Sequence, residues 1–348
     1  MALSRKQIDE LHLSGKLYAS VIVSAYNRLE ALKMCLKALL NQTIELNKYE
    51  IILVDDCSTD GTKDYIESII HTEQPNIKYI RHPVNQGLAA ARNSGILSVS
   101  GEYIIFLDCD IIPESDFIEK ILFYHAQYPD DKIVVIGNLS FYKNLTDNNN
   151  IAYFAQSRYL GFRTKREMAK IDYSNLSSRY FAGGIASMPY STVKEVGLFD
   201  STFKYYGGED TDYGIRLGNH GVRLIFGASV KAYHNDPVFL QKYKNKRVEA
   251  AREGFKIMLK KHPGCYDNTW ISLLVPINKE KDPLLLMVMK LILKIALNPV
   301  NIAIIEYWLQ KTNKYRLLYS SSLYKLAVMG WTLVGLQEAN KKYSSVWK

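Results

Sequence analysis

The chain has 348 residues, 47% of them hydrophobic, with four cysteines and a formal net charge of +9. That length supplies core for one large domain and a smaller one, and the scattered cysteines (Cys35, Cys57, Cys109, Cys265) exclude a zinc ribbon and a disulfide framework, fitting a reducing, cytoplasmic compartment. The charge is uneven: residues 1–240 hold 25 Lys+Arg against 28 Asp+Glu, and residues 241–348 hold 19 against 7. A C-terminal basic excess suits anionic lipid, a phosphorylated acceptor or nucleic acid, or simply a solvated helical surface.

Residues 1–17 read as a polar helical lead-in without the apolar core of a signal peptide. Ala19–Ser24 is a short apolar strand, followed by helical spacing from Leu29 to Gln42. Glu50–Val54 is a second buried strand ending at Asp55-Asp56, and Ser58-Thr59-Asp60-Gly61 offers turn and capping chemistry before a helix over Thr62–His71. Ile77–Arg81 is a third strand, Leu88–Leu97 a third helix and Tyr103–Leu107 a fourth strand. Near-continuous apolar strands alternating with helices predict an α/β fold, a mostly parallel sheet sandwiched by helices. Ligands of such sheets bind beyond the C-terminal strand ends. Here those ends are Ser24-Ala25-Tyr26, Asp55-Asp56 and Asp108-Cys109-Asp110.

Asp108 and Asp110, one residue apart behind an apolar strand, suit a hard divalent cation that also holds substrate phosphates. The competing reading is an acidic turn. The stretch from Asn138 to Arg179 is rich in Tyr, Arg and Asn, and Asn144–Asn150 reads as a mobile loop. Beyond residue 236 the chain becomes helical, basic and aromatic. Lys242–Lys261 is helix-prone, and Asp282-Pro283 is a helix start with the acid as N-cap. Leu284–Leu297 follows, apolar but for Lys290 and Lys294, then Val300–Leu309 and Leu317–Leu336. No stretch there is long enough to span a bilayer. Apolar faces with interfacial aromatics and lysines suit a helix lying in a membrane surface, and equally a helical subdomain packed on the sheet domain.

Seven motifs stand in order: VIVSAYNR (21–28), ILVDDCSTDGT (52–62), NQGLAAARNSG (85–95), FLDCD (106–110), FAGGIASM (181–188), FDSTFKYYGGEDTDYGIRL (199–217) and AYHNDP (232–237). Together they resemble the inverting glycosyltransferases of family 2, with their GT-A nucleotide-sugar-binding fold, over residues 18–236. The last three look closest to bacterial polysaccharide-chain transferases that build chondroitin-like polymers. Beyond the resemblance, the residues from 237 read as a helical C-terminal region, a membrane-surface or acceptor-side subdomain. The resemblance implies a UDP-sugar donor, a Mn²⁺ or Mg²⁺ cofactor and a glycan or lipid-linked acceptor, with no nucleic acid partner. An anionic membrane surface is a further candidate partner, and peripheral attachment to the inner face of the membrane a candidate location.

By that resemblance Tyr26 flanks uracil and Asp56 accepts from its ring N–H, within a donor site that includes Ser24, Asn27, Arg28 and Gly87. Asp55 orients the turn. Arg92 and Asn93 reach the diphosphate or ribose, although Arg92 also fits a solvated helix face. Asp108 contacts ribose or metal-bound water, and Asp110 the metal, with His234 as a third ligand. Cys109 lies in the donor site as a small space-filler. Gly183 and Gly184 let backbone lie beside the donor sugar. Asp210 is the general base that takes the proton of the acceptor hydroxyl, and Glu209 hydrogen-bonds the acceptor; a helix N-cap at Asp210 or Thr211 is compatible with both roles. A dehydrogenase is disfavoured because no Gly-x-Gly-x-x-Gly follows the first strand. A nucleotidyltransferase lacks the Gly-rich, lysine-bearing loop, and a non-catalytic glycan-binding or membrane scaffold does not explain why all four acids are present.

Overall fold

The structure is a computed structural model, and it describes residues 18–71, 76–129, 132–162, 170–267, 269–280 and 282–343. The lead-in expected over residues 1–17 lies outside the described residues. Among the described residues eight strands form one sheet: β1 (Ala19–Ala25), β2 (Tyr49–Asp55), β3 (Ile77–Arg81), β4 (Tyr103–Asp108), β5 (Ile111–Pro113), β6 (Ile133–Phe141), β7 (Ile185–Pro189) and β8 (Arg223–His234). Their spatial order is β3-β2-β1-β4-β7-β6-β8-β5. The four strands read from sequence, β3-β2-β1-β4, are all parallel. The rest of the sheet is mixed: β7 runs antiparallel to both β4 and β6, β8 parallel to β6, and β5 antiparallel to β8. Because β7 is antiparallel to β4, it begins at the rim where β4 ends. Ile185 pairs with Leu107, which delivers Gly183-Gly184 beside Asp108.

Side-chain alternation gives each face of the sheet its own core. Val21, Val23 and Ile105 face the helices Leu29–Leu40 and Phe117–Ala126 through Leu32, Leu36, Phe117 and Ile121. Ile22, Ile52 and Phe106 share the opposite core with Ala89 and Ala91 of the helix Leu88–Ile96 and with Tyr213 and Leu217 of the helix Glu209–Asn219. Asp60 starts the helix Thr62–His71 as expected: its Oδ1 accepts from the Thr62 hydroxyl at 2.6 Å and from the Thr62 amide at 3.3 Å.

The described chain divides into two compact units. The first takes the residues through Tyr142, Ser157–Lys204 and Glu209–Asp236; the second takes Lys143–Gln156, Tyr205–Gly208 and the residues from Pro237 onward. Two segments expected within the sheet domain thus belong to the helical unit. Asn144–Asn150 is not a free loop: a helical turn covers Lys143–Thr146, and Asn150 opens the helix Asn150–Gln156. Asn150 is buried and its amide donates to the Thr312 and Tyr315 carbonyls, both at 3.0 Å.

In the second unit a helix over Leu240–Glu249 continues through a wider π turn, Ala250–Gly254, into Phe255–Lys261. Helices Leu284–Ala296, Pro299–Thr312 and Ser321–Tyr343 follow. Trp331, Tyr324, Phe154 and Ala251 lie in the core of this unit. The helix start expected at Asp282 takes a different form. The helix begins at Leu284 with no side-chain cap, because the Asp282 carboxylate instead accepts from the Asn278 amide and from Lys290 Nζ. Asn298-Pro299 carries the capping chemistry: Asn298 Oδ1 accepts from the Val300 and Asn301 amides at 2.9 and 3.0 Å, with proline in the first turn.

Candidate active site

The parallel register brings three strand ends to one level: Ala25 lies beside Asp55, and Ser24 lies beside Asp108. The first two ends are tied together by their loops. Asn27, in left-handed backbone at φ 51°, accepts from the Thr59 amide through its side chain, and its own amide donates to the Ser58 hydroxyl. Arg28 forms an ion pair with Asp236 at 3.0 Å. Asp55 is fully buried and holds the turn: it accepts from the Ser58 amide, the Tyr79 hydroxyl and Arg81 Nε. Asp56 is also buried. It accepts from the Gln86 and Gly87 amides, both at 2.8 Å, and lies 2.7 Å from His82 Nδ1, whose Nε2 is 2.8 Å from the Ser94 hydroxyl. Three of the roughly four acceptor positions of a carboxylate are therefore used within the fold. Gly87 sits at φ +91°, and a Cβ there would lie 2.6 Å from the Lys204 carbonyl oxygen. Tyr26 is half exposed at this rim, and the Ser24 hydroxyl beside it is buried without a hydrogen-bond partner.

Arg92 is the centre of the site. Its place on the helix Leu88–Ile96 left open a solvated face, but the residue is 2% exposed. Nη1 donates to Asp210 Oδ1 at 2.8 Å and Nη2 to Asp108 Oδ1 at 3.2 Å, so one guanidinium joins two acids from distant parts of the chain. The guanidinium also lies 5.3 Å from the centroid of the Phe199 ring, which stacks on Tyr213. Asn93 takes a different part from the one expected: its side chain donates to the Phe199 carbonyl and accepts from the Phe199 amide, so its polar atoms are used in fixing that segment.

Gly183 and Gly184 make room for the acids. A Cβ at Gly183 would lie 2.6 Å from both Arg92 Nη1 and Asp210 Oδ1, and one at Gly184 would collide with Asp108 Oδ2. Glu209 and Asp210 open the helix Glu209–Asn219 just after Gly207 and Gly208, both at positive φ. Partial burial pushes the Asp210 carboxyl above its ordinary range, against the pull of Arg92, although about a third of its side chain stays exposed. Burial first, then the charge of Asp210, raises Glu209 to about 7, and its Oε2 is buried without a partner.

Asp110 and His234 are brought together by the pairing of β5 with β8, with Asp110 Oδ2 3.8 Å from His234 Nε2. The imidazole lies against the Phe141 ring at 4.9 Å between centroids. Among the described residues no group of three or more His, Cys, Asp or Glu side chains is close enough to hold a metal by itself. Cys109, between the two acids, packs into the core with Cys35, so it fills space and is not a contact residue at the rim. Sequence reasoning missed His82 and the bridging part of Arg92. The ordered motifs were the available signal, because both residues lie in or beside NQGLAAARNSG.

Comparison with known proteins gives this arrangement its relatives. The sequence model of "Glycosyl transferase family 2" matches residues 20–188, and that of "N-terminal domain of galactosyltransferase" matches residues 163–237. Chondroitin synthase of Escherichia coli is 27% identical over 67% of this chain and 37% of its own length, so the chain spans little more than a third of that relative. Glycosyltransferase AglE of Haloferax volcanii is 39% identical over 62% of this chain and 66% of its own length. Among solved structures, a mannosyltransferase of Pyrobaculum calidifontis in complex with GDP-Man and Mn²⁺ superposes with a TM-score of 0.60 at 16% identity, over 95% of this chain and 88% of that one. At that identity the likeness shows the fold, and the fold is GT-A. With the family model lying over the strand ends at Ser24, Asp55 and Asp108, the chain belongs to glycosyltransferase family 2.

Proposed function

We propose that this glycosyltransferase moves a hexosyl or N-acetylhexosaminyl group from a UDP-sugar to an acceptor hydroxyl, with inversion, in the synthesis of a bacterial polysaccharide or glycoconjugate. The observation that carries the reading is the Arg92 bridge between Asp108 and Asp210. Asp108 ends the strand on the donor side, and Asp210 opens the helix assigned to the acceptor side. One guanidinium sets the distance between them.

Asp210 serves as the general base, and Arg92 favours its ionised form where burial would otherwise neutralise it. The acceptor oxygen forms its bond to the anomeric carbon as the bond to UDP breaks, and the proton passes to the Asp210 carboxylate. Glu209 holds an acceptor hydroxyl, which would give its orphaned Oε2 a partner. Tyr26 offers a half-exposed ring to the base of the nucleotide, and Ser24 an unpaired hydroxyl to the donor.

Asp110 and His234 would hold a divalent cation; Asp108, expected to share it, is instead paired with Arg92 and does not join them. Two protein ligands with open positions fit Mg²⁺ or Mn²⁺, which fill their shells with water and phosphate; an imidazole among them favours Mn²⁺. Such an ion would neutralise charge on the departing diphosphate.

The test is release of UDP from a panel of UDP-sugars with Mn²⁺ or Mg²⁺, alongside Asp210→Asn. The variant is expected to bind donor normally and to transfer about 10³-fold more slowly. Normal transfer by Asp210→Asn would remove Asp210 as base. Glycan binding with no UDP release from any donor would favour the scaffold reading.

A further inference from the structure

The second unit exposes a run of large apolar side chains on two consecutive helices, the pattern of a surface that meets a partner or a membrane. On the helix Leu284–Ala296, Leu284, Leu285, Ile292 and Ile295 are each more than half exposed. On Pro299–Thr312 the same holds for Val300, Ile304 and Tyr307, with Trp308 close to half, and Leu317 beyond it is fully exposed. The two helices bend by 63° at the break between them, and neither is long and apolar enough to cross a membrane alone.

Charge selects the occupant of this face. Between Pro283 and Ser320 the only acid is Glu306, and it is turned inward, accepting from Trp331 Nε1 at 2.6 Å and pairing with Lys244 at 2.8 Å. Lys290 is also turned inward, to Asp282. Lys294, Lys311 and Lys314 remain exposed, the last two over the rings of Tyr307 and Tyr315 at 5.5 and 5.1 Å. An apolar face edged by lysines and aromatic rings, with no outward acid, repels a second copy of itself and complements an anionic headgroup layer.

We infer that the bent pair Leu284–Thr312 lies in the surface of a membrane rich in anionic lipid, its apolar face at the headgroup–acyl boundary and its lysines among the phosphates. The inference does not depend on the sugar or on the transfer reaction.

Co-sedimentation of the full chain with vesicles tests it. The protein should sediment with phosphatidylcholine vesicles containing phosphatidylglycerol, and less as salt rises. The double variant Lys294→Glu/Lys311→Glu changes only exposed side chains, and its partition into those vesicles should fall at least about tenfold. Ile292→Asp/Ile304→Asp should abolish sedimentation while UDP release in solution continues. No sedimentation of the wild-type chain, or undiminished binding by the lysine variant, would overturn the inference. So would a concentration-dependent dimer that Ile292→Asp dissolves in a protein that ignores vesicles, because the face would then be a protein interface.

Discussion

Arg92 in the sheet unit and Lys290 in the helical unit are both buried cations, and they differ in what surrounds them. Lys290 meets one carboxylate, Asp282 at 2.6 Å, and the Pro276 carbonyl at 3.3 Å, so its charge is balanced. Arg92 meets two carboxylates; Glu209 adjoins one of them in sequence, and Asp110 lies two residues beyond the other. One guanidinium against two carboxylates leaves that trio net negative. A closed pair needs nothing further and serves the fold, whereas a cluster left negative is the pattern of a candidate functional site. Burial of a charge does not separate the two cases; the residual charge does.

Arg92→Met tests the contrast most severely. It leaves Asp108 and Asp210 without their shared partner and sets like charges against each other. The expected loss is about 3 kcal/mol, the low end for a broken buried pair, because the Asp108 and Asp210 side chains are 37% and 32% exposed and water can reach them. Sugar transfer should disappear with it. Arg92→Lys should recover part of the stability and little of the transfer, since an ammonium cannot fork to two carboxylates held by separate elements. An unfolding midpoint in urea that stays put for Arg92→Met would end the comparison.

How much of this was legible in the sequence follows from what each element depends on. Strands β1 to β4 carry their signal locally, in short apolar runs with helices between, and the structure places them as read. Strands β5 to β8 escaped. Their pairings are long-range, and β8 changes register against β6 between Gly137 and Asn138, which spoils simple alternation. The acids at the rim were legible from their positions at strand ends. The Arg92 bridge was not, because its partners lie 16 and 118 residues away, and no local pattern states which side chain a helical arginine will face. Asn93 was misread for the same reason, its partner Phe199 being 106 residues distant. At Asp282-Pro283 the local cap rule lost to a long-range ion pair, while sixteen residues later Asn298-Pro299, with no such competitor, obeyed it.

The burial of Glu209 beside Asp210 has a pH signature. Glu209 ordinarily ionises near 4.5, and in the fold burial and the Asp210 charge raise it to about 7. A raised acid means that the fold prefers the protonated form. The penalty is absent below pH about 4.5, grows as pH rises toward 7, and is constant above it. Glu209→Gln keeps the shape without the ionisation. It should stabilise the chain by roughly 2 kcal/mol near pH 8 and by nothing near pH 4. Urea unfolding at the two pH values reads this directly. An equal gain at both would mean that the glutamine acts through packing and that ionising Glu209 costs the fold nothing.

Lys290→Met is the counterpart in the balanced site, and the smallest effect of the series. The methionine fills the volume of the lysine stem inside the helical unit. Asp282 stands in a turn where it keeps the Asn278 amide as a donor and can recover water. The unfolding midpoint should therefore shift by well under half of the Arg92→Met shift, with sugar transfer unchanged. A closed ion pair is often replaceable by apolar packing at little cost, because the desolvation of both charges is relieved together with their attraction. If Lys290→Met instead matched Arg92→Met in stability, the depth of burial and not the balance of charge would separate the two sites. If it abolished transfer, Lys290 would have to act on the reaction through the fold, which a self-contained pair has no means to do.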